Sequence, residues 1–135
     1  MTQKQVNQLA FEVVSCAIEV NKQLGPGLLE SVYETCLCHE LEMRGFQLSR
    51  QMVVPIHYKG LDLDAELRID VLVNDCVVVE LKAVENLIPI HEAQLMTYMK
   101  LLQKPKGLLI NFHTTNITKT TKPLVNEYFA ALPKE

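Results

Sequence analysis

No stretch of this 135-residue chain is long and apolar enough to read as a membrane span or a secretory leader. Lys4 stands near the start, but Glu12 and Glu19 interrupt the apolar residues that follow, and either signal needs an unbroken run. The expectation is an intracellular, cytoplasmic protein with reduced thiols. Its four cysteines form no CxxC pair, and Cys36 and Cys38 would lie on different sides of a helix. Zinc is therefore not expected, and all four read as small buried apolar residues. There is no internal repeat, no low-complexity segment and no dividing linker, so one domain over residues 1–135 is expected.

Nor is the chain basic. A formal charge of −3 argues against a surface that is sticky toward nucleic acid throughout. The charge is uneven, however. Residues 100–135 carry six Lys and two Glu, which leaves −7 on residues 1–99. That division fits either an unevenly charged solvated surface or a cation site beside a phosphate-contacting one. Lys100, Lys104, Lys106, Lys119 and Lys122 are candidates for phosphate contact, which adds affinity but carries no sequence information. No recognition-helix or finger pattern is present.

What is there begins with helical periodicity. Val6, Leu9, Val13, Ala17 and Leu24 predict a helix over 4–24, ended by Gly25-Pro26-Gly27. A second helix is expected over 28–44, stopped by Gly45. Strands follow at 52–58, 66–73 and 77–84, with a tight turn around Asn74-Asp75. Pro89 opens a third helix running to about Gln103, and Leu108 to Phe112 reads as a short buried strand. A threonine-rich loop then leads to a last amphipathic helix beginning at Pro123. Without the outer helices the order is α-β-β-β-α-β. The expected fold is α/β of the α+β type, a mixed sheet flanked by helices.

The chemistry is concentrated in Val77-Val78-Val79-Glu80-Leu81-Lys82. A run this apolar suits a strand buried on both faces, yet Glu80 and Lys82 share one face of it. On the preceding strand Leu67, Ile69, Val71 and Val73 would form an apolar face, with Arg68 and Asp70 on the other. One face of the hairpin should thus gather Arg68, Asp70, Glu80 and Lys82. Such a cluster is either an internal salt-bridge group that also protects a sheet edge or a cation site. Two carboxylates converging on one place attract a cation, and oxygen ligands suit Mg²⁺. Parity decides between geometries. A two-residue turn would send Asp70 and Glu80 to opposite faces, whereas a three-residue turn at 74–76, or a bulge, places them together.

Asp70, then ten residues to Glu80-Leu81-Lys82, on a hairpin in this element order, resembles the PD-(D/E)XK nuclease core. Gly27-Leu28-Leu29-Glu30-Ser31-Val32-Tyr33 reads as GxxExxY. Over roughly residues 5–112 (core about 28–112) the chain resembles the small GxxExxY proteins grouped in that superfamily. Ile69 precedes Asp70, so the proline of the family name is absent. The resemblance implies Asp70, Glu80 and the Leu81 carbonyl as ligands of Mg²⁺ or Mn²⁺, with Lys82 orienting the attacking water. Glu30 resembles an acidic residue that some branches add from the first core helix; it equally suits the third position of a helix capped by Gly27. Gln94 and Tyr98, one turn apart, match a QxxxY signature flanking the site in related nucleases, and His91 extends that face. The implied function is metal-dependent hydrolysis of DNA phosphodiester bonds. The alternative is a catalytically silent module that binds nucleic acid or protein. Nucleic acid, most naturally DNA, is the implied partner, no membrane is expected, and a homo-oligomer is compatible with the small size.

Overall fold

In a computed structural model of the chain, residues 1–64 and 66–135 are described. Helix α1 (Gln3–Leu24) is opened by a reciprocal cap: the Gln5 N–H donates to the Thr2 hydroxyl at 3.1 Å and the Thr2 N–H to Gln5 Oε1 at 2.9 Å. Helix α2 (Glu30–Met43) starts two residues later than expected. Leu29 is its N-cap, so Glu30 stands at the first helical position rather than the third.

The GxxExxY motif has a structural explanation. Gly27 takes φ +100°, and the chain doubles back there so that the Tyr33 hydroxyl donates to the Gly25 carbonyl at 2.6 Å. The same hydroxyl accepts from the Leu28 N–H at 3.1 Å. Tyr33 is fully buried and its ring stacks on Phe112, 4.8 Å between centroids. One side chain thus ties the α1–α2 connection to the core.

Among the described residues, five strands form one mixed sheet in the order β1-β4-β5-β6-β7. They are β1 (Leu48–Val53), β4 (Arg68–Val73), β5 (Val77–Lys82), β6 (Lys106–Asn111) and β7 (Thr121–Val125). The pairs are antiparallel except β5–β6, which is parallel and connected through helix α3 (Pro89–Leu102). A separate hairpin, β2 (Ile56–Tyr58) and β3 (Leu61–Leu63), lies between β1 and β4. Helices α1 and α2 pack on one face of the sheet with Val71, Val73, Val77, Val79 and Leu81. On the other face, α3 packs Leu95 and Met99 against Ile69, Leu72, Val78 and Leu109. Both faces of β5 are covered, which is why its sequence is nearly all apolar.

Further boundaries differ from the sequence reading, β4 and β5 being shorter than expected by two residues each. The strand expected at 52–58 begins earlier, at Leu48, and is broken at Val54-Pro55, since proline brings no N–H to a ladder. The strand expected from Leu108 begins two residues earlier, with Lys106-Gly107 opening β6. The helix expected from Pro123 is displaced: residues 121–125 form β7, which pairs with the open edge of β6. Helix α4 is reduced to Glu127–Ala130, capped by Asn126 Oδ1 on the N–H groups of Tyr128 and Phe129. Pro123 is tolerated because β7 is an edge strand.

Tyr33→Phe should keep the fold but leave the Gly25 carbonyl and the Leu28 N–H without their shared partner. Urea denaturation is expected to show a loss of about 1–3 kcal/mol, with an unchanged dependence on denaturant.

Candidate active site

The β4–β5 hairpin has the three-residue turn that parity requires. Val73 pairs with Val77, Leu72 with Val78 and Val71 with Val79, around Asn74-Asp75-Cys76. Asn74 and Asp75 take φ +50° and +54°, the left-handed region that Asn and Asp tolerate best after glycine.

Beyond Val71 the ladder stops and side chains replace it. Asp70 Oδ2 accepts the Leu81 N–H at 2.8 Å, and Glu80 Oε1 accepts the Asp70 N–H at 3.0 Å. Each carboxylate is thereby fixed through one oxygen to the backbone of the other's strand. Asp70, Glu80 and Lys82 are all half-buried here.

The cause is a change of facing. Ile69 belongs to the α3 side and Val71 and Val73 to the α1–α2 side, yet Leu72 is again on the α3 side. The alternation therefore breaks at Asp70, and the single apolar face expected from Leu67 to Val73 is divided between two cores. The partner strand breaks with it: Leu48 joins the α1–α2 core and Met52 the α3 core, with Gln51 between them at φ +51°. Register is kept on both sides, Arg50 against Val71 and Met52 against Ile69.

Around this kink lie residues the sequence reading missed. The Gln51 side-chain amide donates to Glu34 Oε1 at 2.7 Å and, more weakly, to Asp70 Oδ1 at 3.4 Å. Arg50 donates to the other Glu34 oxygen at 2.9 Å. Arg68, expected to share a face with Asp70, Glu80 and Lys82, is exposed and donates to the Gln51 carbonyl at 3.1 Å. Glu34 follows Tyr33 directly, and a carboxylate on the buried side of α2 was the available signal.

Electrostatics mark the pair. Burial, then the charge of Asp70, pushes the Glu80 carboxyl up to about 8; Lys82 pulls it down. Asp70 is raised as well, first by burial, against the opposing Leu81 N–H, with Glu34 and Glu30 adding to the rise. Glu30 is exposed at the start of α2 and acts on both carboxylates through its charge. The Tyr98 hydroxyl is raised by burial and by the charge of Glu80, so it stays protonated beside the pair. Gln94 is exposed one turn before it. His91 is taken up at the start of α3, its Nδ1 accepting the Ile88 N–H at 3.3 Å. The thiols of Cys16, Cys38 and Cys76 are raised by burial, Cys38 to about 11, which makes them poor nucleophiles. Cys36 is half-buried.

This sheet, with an acidic residue at the ladder's end and Glu80-x-Lys82 on the central strand, has the architecture of a nuclease fold. A family model of the PD-(D/E)XK nuclease superfamily matches residues 7–123, and the chain belongs to that superfamily. No curated protein and no solved structure matches it.

Members of the superfamily generally use divalent metals. Among the described residues no three His, Cys, Asp or Glu side chains converge as a cage. Neither Asp70 nor Glu80 forms an ion pair among those residues. Two adjacent carboxylates without a cationic partner fit an ion that keeps much of its water, as Mg²⁺ does. No helix among the described residues is long and apolar enough to cross a membrane.

The raised Glu80 has a measurable consequence in metal-free protein. The folded state holds a proton that the unfolded chain releases near 4.5. Stability should therefore fall as pH rises from about 4.5 to 8, by up to about 1.4 kcal/mol per pH unit. Glu80→Gln, which mimics the protonated form, should flatten that decline in denaturation curves taken across the range.

Proposed function

We propose that the chain is a metal-dependent nuclease that hydrolyses phosphodiester bonds in DNA, acting in the cytoplasm. The observation that carries this reading is the Asp70–Glu80 pair, held by reciprocal side-chain to main-chain bonds on the strand that bears Lys82. A structural ion-pair cluster would set Lys82 or Arg68 directly against these carboxylates. Instead Arg68 turns to a carbonyl.

Asp70 and Glu80 would hold Mg²⁺ or Mn²⁺ with the Leu81 carbonyl, and Glu30 would add charge from α2. When bound, the ion supplies Lewis-acid polarisation of the scissile phosphate and a more acidic water. Lys82, two residues beyond Glu80 on the same side of the strand, directs its ammonium at the attacking water and at charge developing on the phosphate. Tyr98 keeps its proton and offers a donor beside Glu80, while Gln94 presents its amide to the incoming strand. Glu34 and Arg50 hold Gln51, which braces Asp70 at the kink.

Cleavage assays with Mg²⁺ and Mn²⁺ on single- and double-stranded DNA and RNA, comparing wild type with Asp70→Ala, test the reading. Cleavage of DNA by wild type alone is expected. No cleavage by wild type on any substrate would favour the silent binding module. Calorimetric titration of Mg²⁺ or Mn²⁺ should show weak binding that is lost in Asp70→Ala and in Glu80→Ala, and binding should strengthen as pH approaches 8, because the ion competes with the Glu80 proton. Unchanged binding in both variants removes the metal-site reading. Lys82→Ala should bind the ion normally yet lose about a hundredfold or more in kcat; wild-type rates in that variant would mean that Lys82 has no part in the chemistry.

A further inference from the structure

The lysines of the C-terminal third are not equivalent once the sheet is assembled. Lys104 and Lys106 lie at the end of the sheet away from the acidic pair. Lys104 pairs with Asp75 in the β4–β5 turn at 2.8 Å. Lys106 is opposite Val77, the first residue of β5, and is buried with its ammonium near Asn7 Oδ1 and over the Phe129 ring. Lys122 is different. Glu80 pairs with Leu109 on β6, and Leu109 pairs with Lys122 on β7. Residues paired across a ladder share a face, so Glu80, Leu109 and Lys122 form one row on the α3 side. Two strand spacings separate its ends, or about 10 Å at the backbone. Lys119 stands just before β7, and both lysines are exposed.

The two lysines also border one cavity, of about 200 Å³, with Asn111 and with Glu85, Asn86 and Leu87 from the loop that leaves β5. Asn111 is the partner of Lys82 in the β5–β6 ladder, so the cavity adjoins the catalytic end of the strand. Its Asn111 wall is rigid, because that side chain is buried and bonded to both backbone groups of Val84. Lys122 approaches Glu92 at 4.0 Å. A contact this long between exposed groups is weak, and a phosphate can displace it.

Resting on the nuclease reading, we propose that a nucleic-acid strand leaves the Asp70–Glu80 site around the ends of β5 and β6, past the cavity at Asn111 and clear of Leu109, which α3 covers, its flanking phosphates held by Lys122 and Lys119. The spacing suits the polymer: about 10 Å or more from Glu80 exceeds the 3.4 Å axial rise per nucleotide, so the contacts fall beyond the scissile phosphate. Exposed lysines read charge and not base, which makes this track a source of affinity without sequence preference.

The test is binding of labelled single- and double-stranded DNA to the full chain in EDTA, by fluorescence anisotropy over a range of salt. Lys119→Ala with Lys122→Ala should weaken binding and lower the duplex salt slope by about 1.8, or about 1.4 for a single strand, as expected for two lost phosphate contacts. Lys104→Ala should leave affinity and slope unchanged, and Glu92→Gln should tighten binding by releasing Lys122. An unchanged slope in the double variant, an equal loss in Lys104→Ala, or no binding by wild type would overturn the track. Cleavage lost in Asp70→Ala would still uphold the nuclease reading in any of those cases, so the two fail separately.

Discussion

The exchange of hydrogen bonds between Asp70 and the Glu80-Leu81 segment is the constraint on which the site depends. Two backbone N–H groups that would otherwise end a ladder unsatisfied are taken by carboxylates, and a buried donor left unpaired costs about 1–3 kcal/mol. The acidic pair therefore completes the hairpin. The arrangement explains how negative charges are tolerated between two apolar cores: each is anchored by an N–H while its pKa drifts upward. Proton and fold are coupled through the same atoms, so a change in either changes the other.

The kink beneath that exchange depends on a residue in a costly conformation. A non-glycine residue at positive φ is uncommon, and strain of this kind is retained where surrounding bonds over-determine it. Around Gln51 those bonds run from its side chain to Glu34 and Asp70 and from Arg68 to its carbonyl. On the far side of β5, α3 is seated close to β6. A Cβ on Gly107 would come within 2.5 Å of Met99 Sδ and 3.1 Å of Leu95 Cγ. That absence of a side chain lets α3 lie near enough to bring Tyr98 into the field of Glu80.

The turn of the central hairpin was legible in the sequence because parity is arithmetic: three residues at 74–76 set Val73 against Val77, although the apolar alternation expected before it breaks at Asp70. GxxExxY was legible as a motif, and its tyrosine is a structural tie. The paired kink was not legible. It arises from two strands breaking alternation together, and each run alone still reads as a regular strand. Glu34 and Gln51 escaped notice for that reason, since nothing in a one-dimensional pattern brings helix α2 to a bend in β1. Strand β7 was hidden by Pro123, which signals a helix start or an edge strand equally well until the open side of β6 is known.

The bend at Gln51 has another consequence, because β1 is an outer strand of the sheet. An outer strand invites another chain to add to it when its backbone groups stand in a straight, unbroken line. Here the line is interrupted by a left-handed residue in β1, and at the opposite margin by Pro123 in β7. Both margins are poor templates for intermolecular β-pairing. The distortion that orients the carboxylates also guards the molecule against growing its sheet into a neighbour.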